Sequence, residues 1–195
     1  MNPTYKKQVF IAFFIVFLLF VIVGSFFLFF FEKKDSSYHL DDFYVSFETS
    51  DILSIKNTLP ISDTVGRNLD GTGTEDGVQG YVSFSVKNKG KNDIPFEIFI
   101  TKQDVDNYTE IKESYVKLLL TDENNQPLKG FDGNSVPTFA DLSFLNDKPS
   151  SKYIYSASLK AGESKKYILK IWLSDLYAIS LNEERFSVDV DVRVK

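Results

Sequence analysis

An apolar run of 23 residues, Val9–Phe31, constrains this chain more than any other feature. As a helix it rises about 1.5 Å per residue and covers about 34 Å, enough to cross a hydrocarbon core of about 30 Å with a modest tilt. It contains no charged residue, whereas Lys7 lies shortly before it and Glu32 follows it directly. We therefore predict a transmembrane helix over residues 9–31. Its predicted membrane residues include Val9, Phe10, Phe17, Phe20, Phe27 and Phe31.

A cleaved secretory signal is the alternative interpretation of this run. Such a signal has a shorter apolar region, about 7–15 residues, followed by a cleavage site with small residues. Here the run continues past Gly24 and Ser25 into "FFLFFF" and then into charge, which favours an uncleaved anchor. Two lysines flank each side, so charge barely decides the orientation. Because a long domain after one N-terminal span usually translocates, we predict a single-pass membrane protein with a cytoplasmic tail (1–8) and an extracytoplasmic C-terminal domain.

The part of the chain beyond the run is acidic and has no cysteine. It carries every Asp and Glu, and its net charge is −7 because Lys6 and Lys7 are excluded from the −5 of the whole chain. Nucleic acids and anionic lipid surfaces are bound by clustered positive charge, so neither is an expected partner of this part. The absence of cysteine excludes disulfides, a cysteine nucleophile, thiolate zinc sites and a lipidated cysteine, and it fits a bacterial surface.

Beyond the run, the hydrophobic pattern has a period of two. In "YVSFSVKNKGKNDIPFEIFITK" two alternating segments flank a polar turn, which predicts a hairpin with one buried face. Its apolar positions are Val82, Phe84, Val86, Phe96, Ile98 and Ile100. The final stretch "RFSVDVDVRVK" alternates in the same way and predicts a half-buried last strand. Its predicted inner residues are Phe186, Val188, Val190, Val192 and Val194.

Five further segments, each bounded by turn-forming residues, bring the expected number of strands to about eight. They are "FYVSF" (43–47), "DILSIKNTL" (51–59), "SYVKLLLT" (114–121), "KYIYSASL" (152–159) and "KKYILKIWL" (165–173). A helical turn is expected only in "SDLYAISLNEE" (174–184), with Ser174 as its cap. Short strands without long helices predict one antiparallel β-sandwich domain over 43–195, joined to the span by a linker over 32–42.

Two turn motifs resemble those of extracytoplasmic immunoglobulin-like modules from Gram-positive bacteria. The motifs are "VSFSVKNKGKNDIPFEI", an alternating strand ending in an Asn-x-Gly turn, and "SLKAGESKKYILKIWL", a Gly-Glu turn leading into another strand. The chain from Leu59 to Lys195 is thus similar to surface and biofilm-matrix proteins of the TasA and camelysin type and to the modules of surface lipoproteins. The resemblance implies an immunoglobulin-like or jelly-roll sandwich outside the cell and no catalytic residue. Those relatives are released or lipidated, whereas the retained run here favours tethering.

The loop "PISDTVGRNLDGTGTEDGVQG" (60–80) is the candidate cation site. Oxygen ligands on a flexible loop suit Ca²⁺, although the spacing does not match an EF-hand. The candidate ligands are Asp63, Asp70, Glu75 and Asp76. The alternative is a long solvated connection whose glycines permit positive φ angles.

His39 and the aromatic residues are the remaining candidates. The chain's one histidine has no partner that the sequence indicates, so we interpret it as an exposed bystander. Aromatic side chains can stack on glycans or anchor a protein partner, but in strands they more often pack in the core. The aromatics considered are Tyr38, Phe43, Tyr44, Phe47, Tyr153, Tyr155, Tyr167, Trp172 and Tyr177. For Trp172 the pattern leaves open which face of its strand is buried.

These observations predict a membrane-anchored extracytoplasmic β-sandwich module of the cell envelope, acting in binding or structural assembly and not in catalysis. Membrane lipid around residues 9–31 and a protein partner are expected, with a glycan as a further candidate ligand. The main alternative is a subunit of a larger membrane complex for transport, secretion or a virion envelope. A glycan hydrolase working through unassigned carboxylates is the enzymatic alternative.

Overall fold

The structure is a computed structural model that describes residues 39–40, 42–48, 50–71, 80–104, 107–145, 148–179 and 183–195. These residues form strands, one short α-helix and two single-turn 3₁₀ helices, Glu113–Tyr115 and Phe139–Asp141. The strands are β1 (His39–Leu40), β2 (Phe43–Phe47), β3 (Ile52–Lys56), β4 (Gly80–Asn88), β5 (Ile94–Lys102), β6 (Thr109–Glu110), β7 (Val116–Asp122), β8 (Phe144–Leu145), β9 (Lys148–Leu159), β10 (Ser164–Leu173) and β11 (Glu184–Val194). The helix α1 is Asp63–Arg67.

The strands form two sheets. Sheet 1 has the order β1-β2-β4-β10-β7, and sheet 2 has the order β3-β11-β5-β9-β8. All neighbours along these orders are antiparallel, and the short strand β6 adds a parallel pair with β11. The prediction of an all-β fold built from antiparallel strands is therefore confirmed.

One hydrophobic core lies between the sheets. Alternating residues of β4 and β5 face it, because successive side chains of a strand point to opposite faces. Aromatic rings meet across it: Phe96 of sheet 2 lies 5.9 Å from Phe43 and 6.1 Å from Tyr167, both in sheet 1 (centroid distances). The predicted inner residues of the last strand are also buried from Phe186 to Val192, and Val194 is half-buried. The period-two pattern thus identified the buried faces correctly.

The predicted hairpin between β4 and β5 is wrong. The two strands lie in different sheets, and β4 pairs with β2 and β10 while β5 pairs with β11 and β9. The segment 89–93 carries the chain across, and Asn88 holds this crossing: its side-chain amide donates to the carbonyls of Asn92 (2.7 Å) and Leu159 (3.1 Å), and its Oδ1 accepts from the Gly90 amide (2.8 Å). An alternating strand buries the same residues in a hairpin and in such a crossing, so the pattern could not separate the two.

The helical turn expected at 174–184 is present only as one hydrogen-bonded turn in the described residues, and the Ser174 hydroxyl accepts from the Leu176 amide at 3.3 Å. From Ser174 to Ile179 the chain forms a single turn, in which the Tyr177 amide donates to the Ser174 carbonyl at 2.9 Å, and no helix follows up to Ile179. The helix lies instead at Asp63–Arg67, inside the segment interpreted as a solvated connection. Ser62 caps it, with its hydroxyl 3.5 Å from the Val65 amide.

Among the described residues, none of the helices has the length and apolar character that crossing a membrane requires. The predicted span, with Val9, Phe10, Phe17, Phe20, Phe27 and Phe31, lies outside the described residues.

Candidate functional site

The candidate cation loop is described only in part. Asp63 is the first residue of α1, and its carboxylate lies 3.8 Å from Lys117 Nζ. Asp70 follows α1 and opposes the effect of burial on the pKa of Lys170. Glu75 and Asp76 lie outside the described residues. In the part of the chain that the structure describes, no three His, Cys, Asp or Glu side chains are grouped to hold a metal ion, and the Ca²⁺ site stays a prediction.

The segment that carries Asp63 covers the outer face of sheet 1. Gly66 of α1 packs on the indole of Trp172 so closely that a methyl group on Gly66 would lie 2.2 Å from Trp172 Cε2. Trp172 is fully buried beneath this contact, while its neighbours Ile171 and Leu173 face the core between the sheets. Both faces of β10 are therefore covered, which answers the question that the sequence left open.

Most of the candidate aromatics pack within the fold. Phe43 and Trp172 are buried, and Phe47 packs against Phe84 with ring centroids 5.4 Å apart. Tyr177 meets Tyr115 edge-on at 5.2 Å, and Tyr44 lies 3.8 Å beneath Lys89 Nζ. Tyr38 lies outside the described residues, and for His39 the structure describes only its place as the first residue of β1.

Two tyrosines, one from each sheet, line an open pocket of about 320 Å³ where β7 ends and β10 begins. Tyr155 comes from β9 and Tyr167 from β10, and their ring centroids are 6.1 Å apart. Tyr167 is only 3% exposed because its ring packs on Phe84 and Phe96. The remaining lining residues are Asp122, Glu123, Asn124, Leu128, Ser164, Lys165 and Lys166. This pocket combines aromatic rings, amide, hydroxyl and charged groups, so it can bind a polar ligand that has an apolar face.

The Asp122 side chain shapes one wall of the pocket. Its Oδ1 accepts hydrogen bonds from the amides of Asn124 (2.9 Å) and Gln126 (2.8 Å) and so holds the turn after β7. Asn125, in that turn, has a φ of 61°, a left-handed conformation that asparagine tolerates better than most residues. The Asp122 side chain therefore fixes the backbone of the turn that forms this wall of the pocket.

A second chemistry-bearing cluster lies at the 3₁₀ helix Glu113–Tyr115. Lys152 is 1% exposed, and its Nζ donates to the Phe139 carbonyl at 2.8 Å and pairs with Glu113 at 3.0 Å. Glu113 also pairs with Lys102 at 3.2 Å. Although burial acts to raise it, hydrogen bonds from Lys152 and Lys102 hold the pKa of Glu113 below its ordinary value of 4.5. Because each charge has a partner in the fold, this cluster joins the 3₁₀ helix to sheet 2.

Lys170 is a further buried lysine. Its Nζ donates to the Arg67 carbonyl at 2.9 Å and to Asn125 Oδ1 at 2.6 Å, and burial lowers its pKa. It thereby ties the last residue of α1 to the turn after β7. The function of Lys170 is structural, because its ammonium group is enclosed by these two acceptors.

Sequence reasoning missed the pocket and both buried lysines. Lys170 and Trp172 share a face of β10, and a tryptophan beside a lysine was a signal that this face is covered. No signal placed Tyr155 beside Tyr167, since the two strands lie in different sheets and only the packing of those sheets joins them.

Exposed apolar side chains lie at one end of the two sheets. Leu176 is 80% exposed, Leu59 68% and Ile179 67%. The first residue of β10, Ser164, pairs with Lys87, at the end of sheet 1 where β1 lies. Leu176 and Ile179 come after the last residue of β10. The ten residues of β10 extend about 30 Å at 3.3 Å per residue, so these two side chains lie at the end opposite His39.

Comparisons with protein-family models, with curated proteins and with solved structures found no match for this chain.

Proposed function

We propose that this protein is a membrane-anchored, extracytoplasmic β-sandwich module of the cell envelope that acts by binding. The apolar run Val9–Phe31 supports the anchor, and the acidic body without cysteine supports an extracytoplasmic domain held by its core alone. An immunoglobulin-like or jelly-roll class within the all-β fold is part of this proposal, and so is the single-pass topology.

The pocket beside Tyr155 and Tyr167 carries the binding function. The two buried lysines, Lys152 and Lys170, are enclosed in contacts that hold elements together. The pocket, in contrast, opens to solvent between the two sheets and has the size of a site for a small group.

Protease shaving of intact cells tests the location. The full chain would carry one tag at each end, and released peptides would be identified by mass spectrometry. We expect peptides from 43–195 to be released while the N-terminal tag stays protected and joined to 9–31. A body protected until the envelope is opened contradicts the extracytoplasmic location, and loss of the N-terminal tag in untreated cells contradicts the anchor. A cytoplasmic protein of the same cells controls for lysis.

A subunit of a larger membrane complex is the second candidate function. The observation that favours it is that the large apolar side chains of Leu59, Leu176 and Ile179 are exposed, because exposed apolar surface on a folded domain often marks an interface. In this function the apolar end docks to a neighbouring subunit.

Purification of the full chain in mild detergent separates the two functions. A subunit should elute with partners in a fixed ratio, and the double variant Leu176→Ser/Ile179→Ser should lose them. Ile52→Ser is the matched control, since Ile52 is an exposed apolar residue on β3. Elution alone in both wild type and variant contradicts the subunit function and is the result expected of a binding module.

A further inference from the structure

The two lysines of the pocket already have partners. Lys165 Nζ pairs with Glu163 at 3.3 Å, and Lys166 Nζ pairs with Glu48 at 2.5 Å. The Glu48 hydrogen bond raises the pKa of Lys166, which shows that this lysine stays charged. Neither Glu163 nor Glu48 lines the pocket. Two carboxylates outside the pocket lining, Glu163 and Glu48, therefore compensate the positive charges of Lys165 and Lys166.

The two carboxylates of the pocket have no ion pair within 4.0 Å among the described residues. The Asp122 side chain accepts hydrogen bonds from turn amides, and Glu123 lies near enough to Lys166 for its charge to raise the pKa of that lysine. Counting each lysine with its partner carboxylate leaves two net negative charges at the pocket wall. A concave site with excess charge of one sign attracts the opposite charge, so the pocket favours a cation.

Tyr167 supplies an independent indication of a ligand. The residue is 3% exposed and lines the pocket, and its hydroxyl has no hydrogen-bond partner among the described residues; this hydroxyl is not one of the fully buried unpaired atoms, so it opens to the pocket. Burial, together with Tyr155 and Glu163, raises the pKa of Tyr167 well above its ordinary value, so the hydroxyl keeps its proton. A phenol can donate and accept, so this hydroxyl offers both functions to a group in the pocket. A bound group with N–H donors would give the Tyr167 hydroxyl a hydrogen-bond partner.

The apolar part of the lining selects among cations. Tyr155 and Leu128 provide an aromatic ring and an aliphatic side chain next to the carboxylates. Lysine and arginine side chains have an apolar stem and a charged head, and their heads also interact favourably with aromatic rings. A volume of about 320 Å³ is at the low end for ligand sites, which suits one side chain.

We propose that the Tyr155–Tyr167 pocket binds a lysine or arginine side chain of a partner polypeptide, with the charged head at Asp122 and Glu123. The inference names the ligand class of the binding function proposed above and rests on it.

Fluorescence anisotropy of labelled peptides with the full chain in detergent micelles tests the inference. The probes are Gly-Arg-Gly, Gly-Lys-Gly and Gly-citrulline-Gly, in which citrulline is the neutral counterpart of arginine. We expect a basic peptide to bind at least about tenfold more tightly than the citrulline peptide, and to bind more weakly as salt is raised. Equal binding of the citrulline peptide would overturn the inference.

The double variant Asp122→Asn/Glu123→Gln removes both charges and keeps the Oδ1 acceptor of the turn. It should weaken binding of the basic peptide about tenfold, as expected for two partly exposed charge pairs. The matched control is Asp104→Asn/Glu183→Gln, which makes the same charge change at two exposed residues outside the pocket. An equal effect of both double variants would overturn the inference, because it would show attraction to the overall charge only.

Neutral saccharides distinguish failure of the ligand class from failure of the binding function. Maltose and N-acetylglucosamine would be screened by saturation-transfer NMR against wild type and Tyr155→Ala. Saccharide binding that requires Tyr155, without peptide binding, overturns the basic ligand and leaves the binding function standing. If neither peptides nor saccharides bind at millimolar concentration, the inference and the pocket's part in the proposed function are both overturned.

Discussion

Gly66 is a residue whose missing side chain determines a contact. Its α-carbon lies against Trp172, and a methyl group there would collide with the indole at 2.2 Å. The neighbouring atoms belong to a fully buried ring in a tightly packed layer, so they cannot move away without cost.

We expect Gly66→Ala to lower the free energy of unfolding by about 1–3 kcal/mol through overpacking. Trp172 is the chain's one tryptophan, so its emission should also shift to the red as α1 moves off the indole. Urea denaturation followed by fluorescence measures both effects. Val65→Ala, at an exposed neighbour in the same helix, is the control. Unchanged emission and stability in Gly66→Ala would show that α1 does not pack on Trp172.

Asp189 is a residue whose charge opposes folding. Its Oδ2 accepts from Gln103 Nε2, while its Oδ1 is buried without a partner among the described residues. Burial, and then the nearby Asp51, raise its pKa above the ordinary 3.8. A raised carboxyl pKa means that the folded state binds the proton more tightly, so the ionised form costs stability at neutral pH.

Asp189→Asn should therefore raise stability at pH 7 by up to about 1 kcal/mol, a range that allows for partial solvent screening. The gain should shrink as the pH falls, because the raised pKa lets wild-type Asp189 take up its proton at a higher pH than an ordinary aspartate. Thermal melting at pH 7, 5 and 3.5 measures this, with Asp104→Asn as an exposed control. A gain of the same size at pH 3.5 would contradict a charge effect.

At the scale of elements, ion pairs attach the 3₁₀ helix Glu113–Tyr115 to sheet 2. Glu113 contacts Lys152, which is almost fully buried, and Lys102, which is partly exposed. Among the described residues Glu110 has one ion pair, with Lys102 at 2.7 Å, and its own side chain is 45% exposed. Loss of a partner is costly where the remaining charge stays buried and small where water can replace the partner.

Glu113→Ala should destabilise the fold by about 2–4 kcal/mol, because Lys152 then lacks a counter-charge. Glu110→Ala should cost less than about 1 kcal/mol, because its pair is exposed. Chemical denaturation of the two variants makes the comparison. Equal effects would mean that burial of Lys152 does not control the strength of this contact.

At the scale of the whole molecule, the acidic groups predict how stability depends on pH. Hydrogen bonds and ion pairs lower the pKa values of Glu48, Glu113, Asp141 and Glu163, whereas Asp189 has a raised pKa. A lowered carboxyl pKa contributes stability that is present above the unfolded value and is lost as the pH falls through the folded value.

Since four groups act in this direction and Asp189 opposes them, we expect the melting temperature to fall progressively below about pH 4.5, the ordinary value of glutamate. Between about pH 5 and 9 it should change little. Circular dichroism melting across pH 3–9 measures the profile. A melting temperature that rises on acidification would show that the carboxyl groups with lowered pKa values do not control the stability at acidic pH.

The sequence by itself determined the class of fold and the buried faces of its strands. Alternation in β4, β5 and β11 has one physical cause, the opposite orientation of successive side chains, and this is local to each strand. Because the alternation is local to one strand, it does not show which strand is the neighbour in the sheet. The pairing of β4 with β5 was therefore predicted wrongly.

Tertiary structure alone decided what covers each sheet and where the pocket lies. Trp172 and Lys170 are buried because α1 and the turn after β7 pack over them, although both belong to distant parts of the chain. Tyr155 and Tyr167 meet because two sheets stack, and no spacing along the sequence encodes that meeting. Long-range packing sets these contacts, and a pattern of period two carries information about one strand at a time.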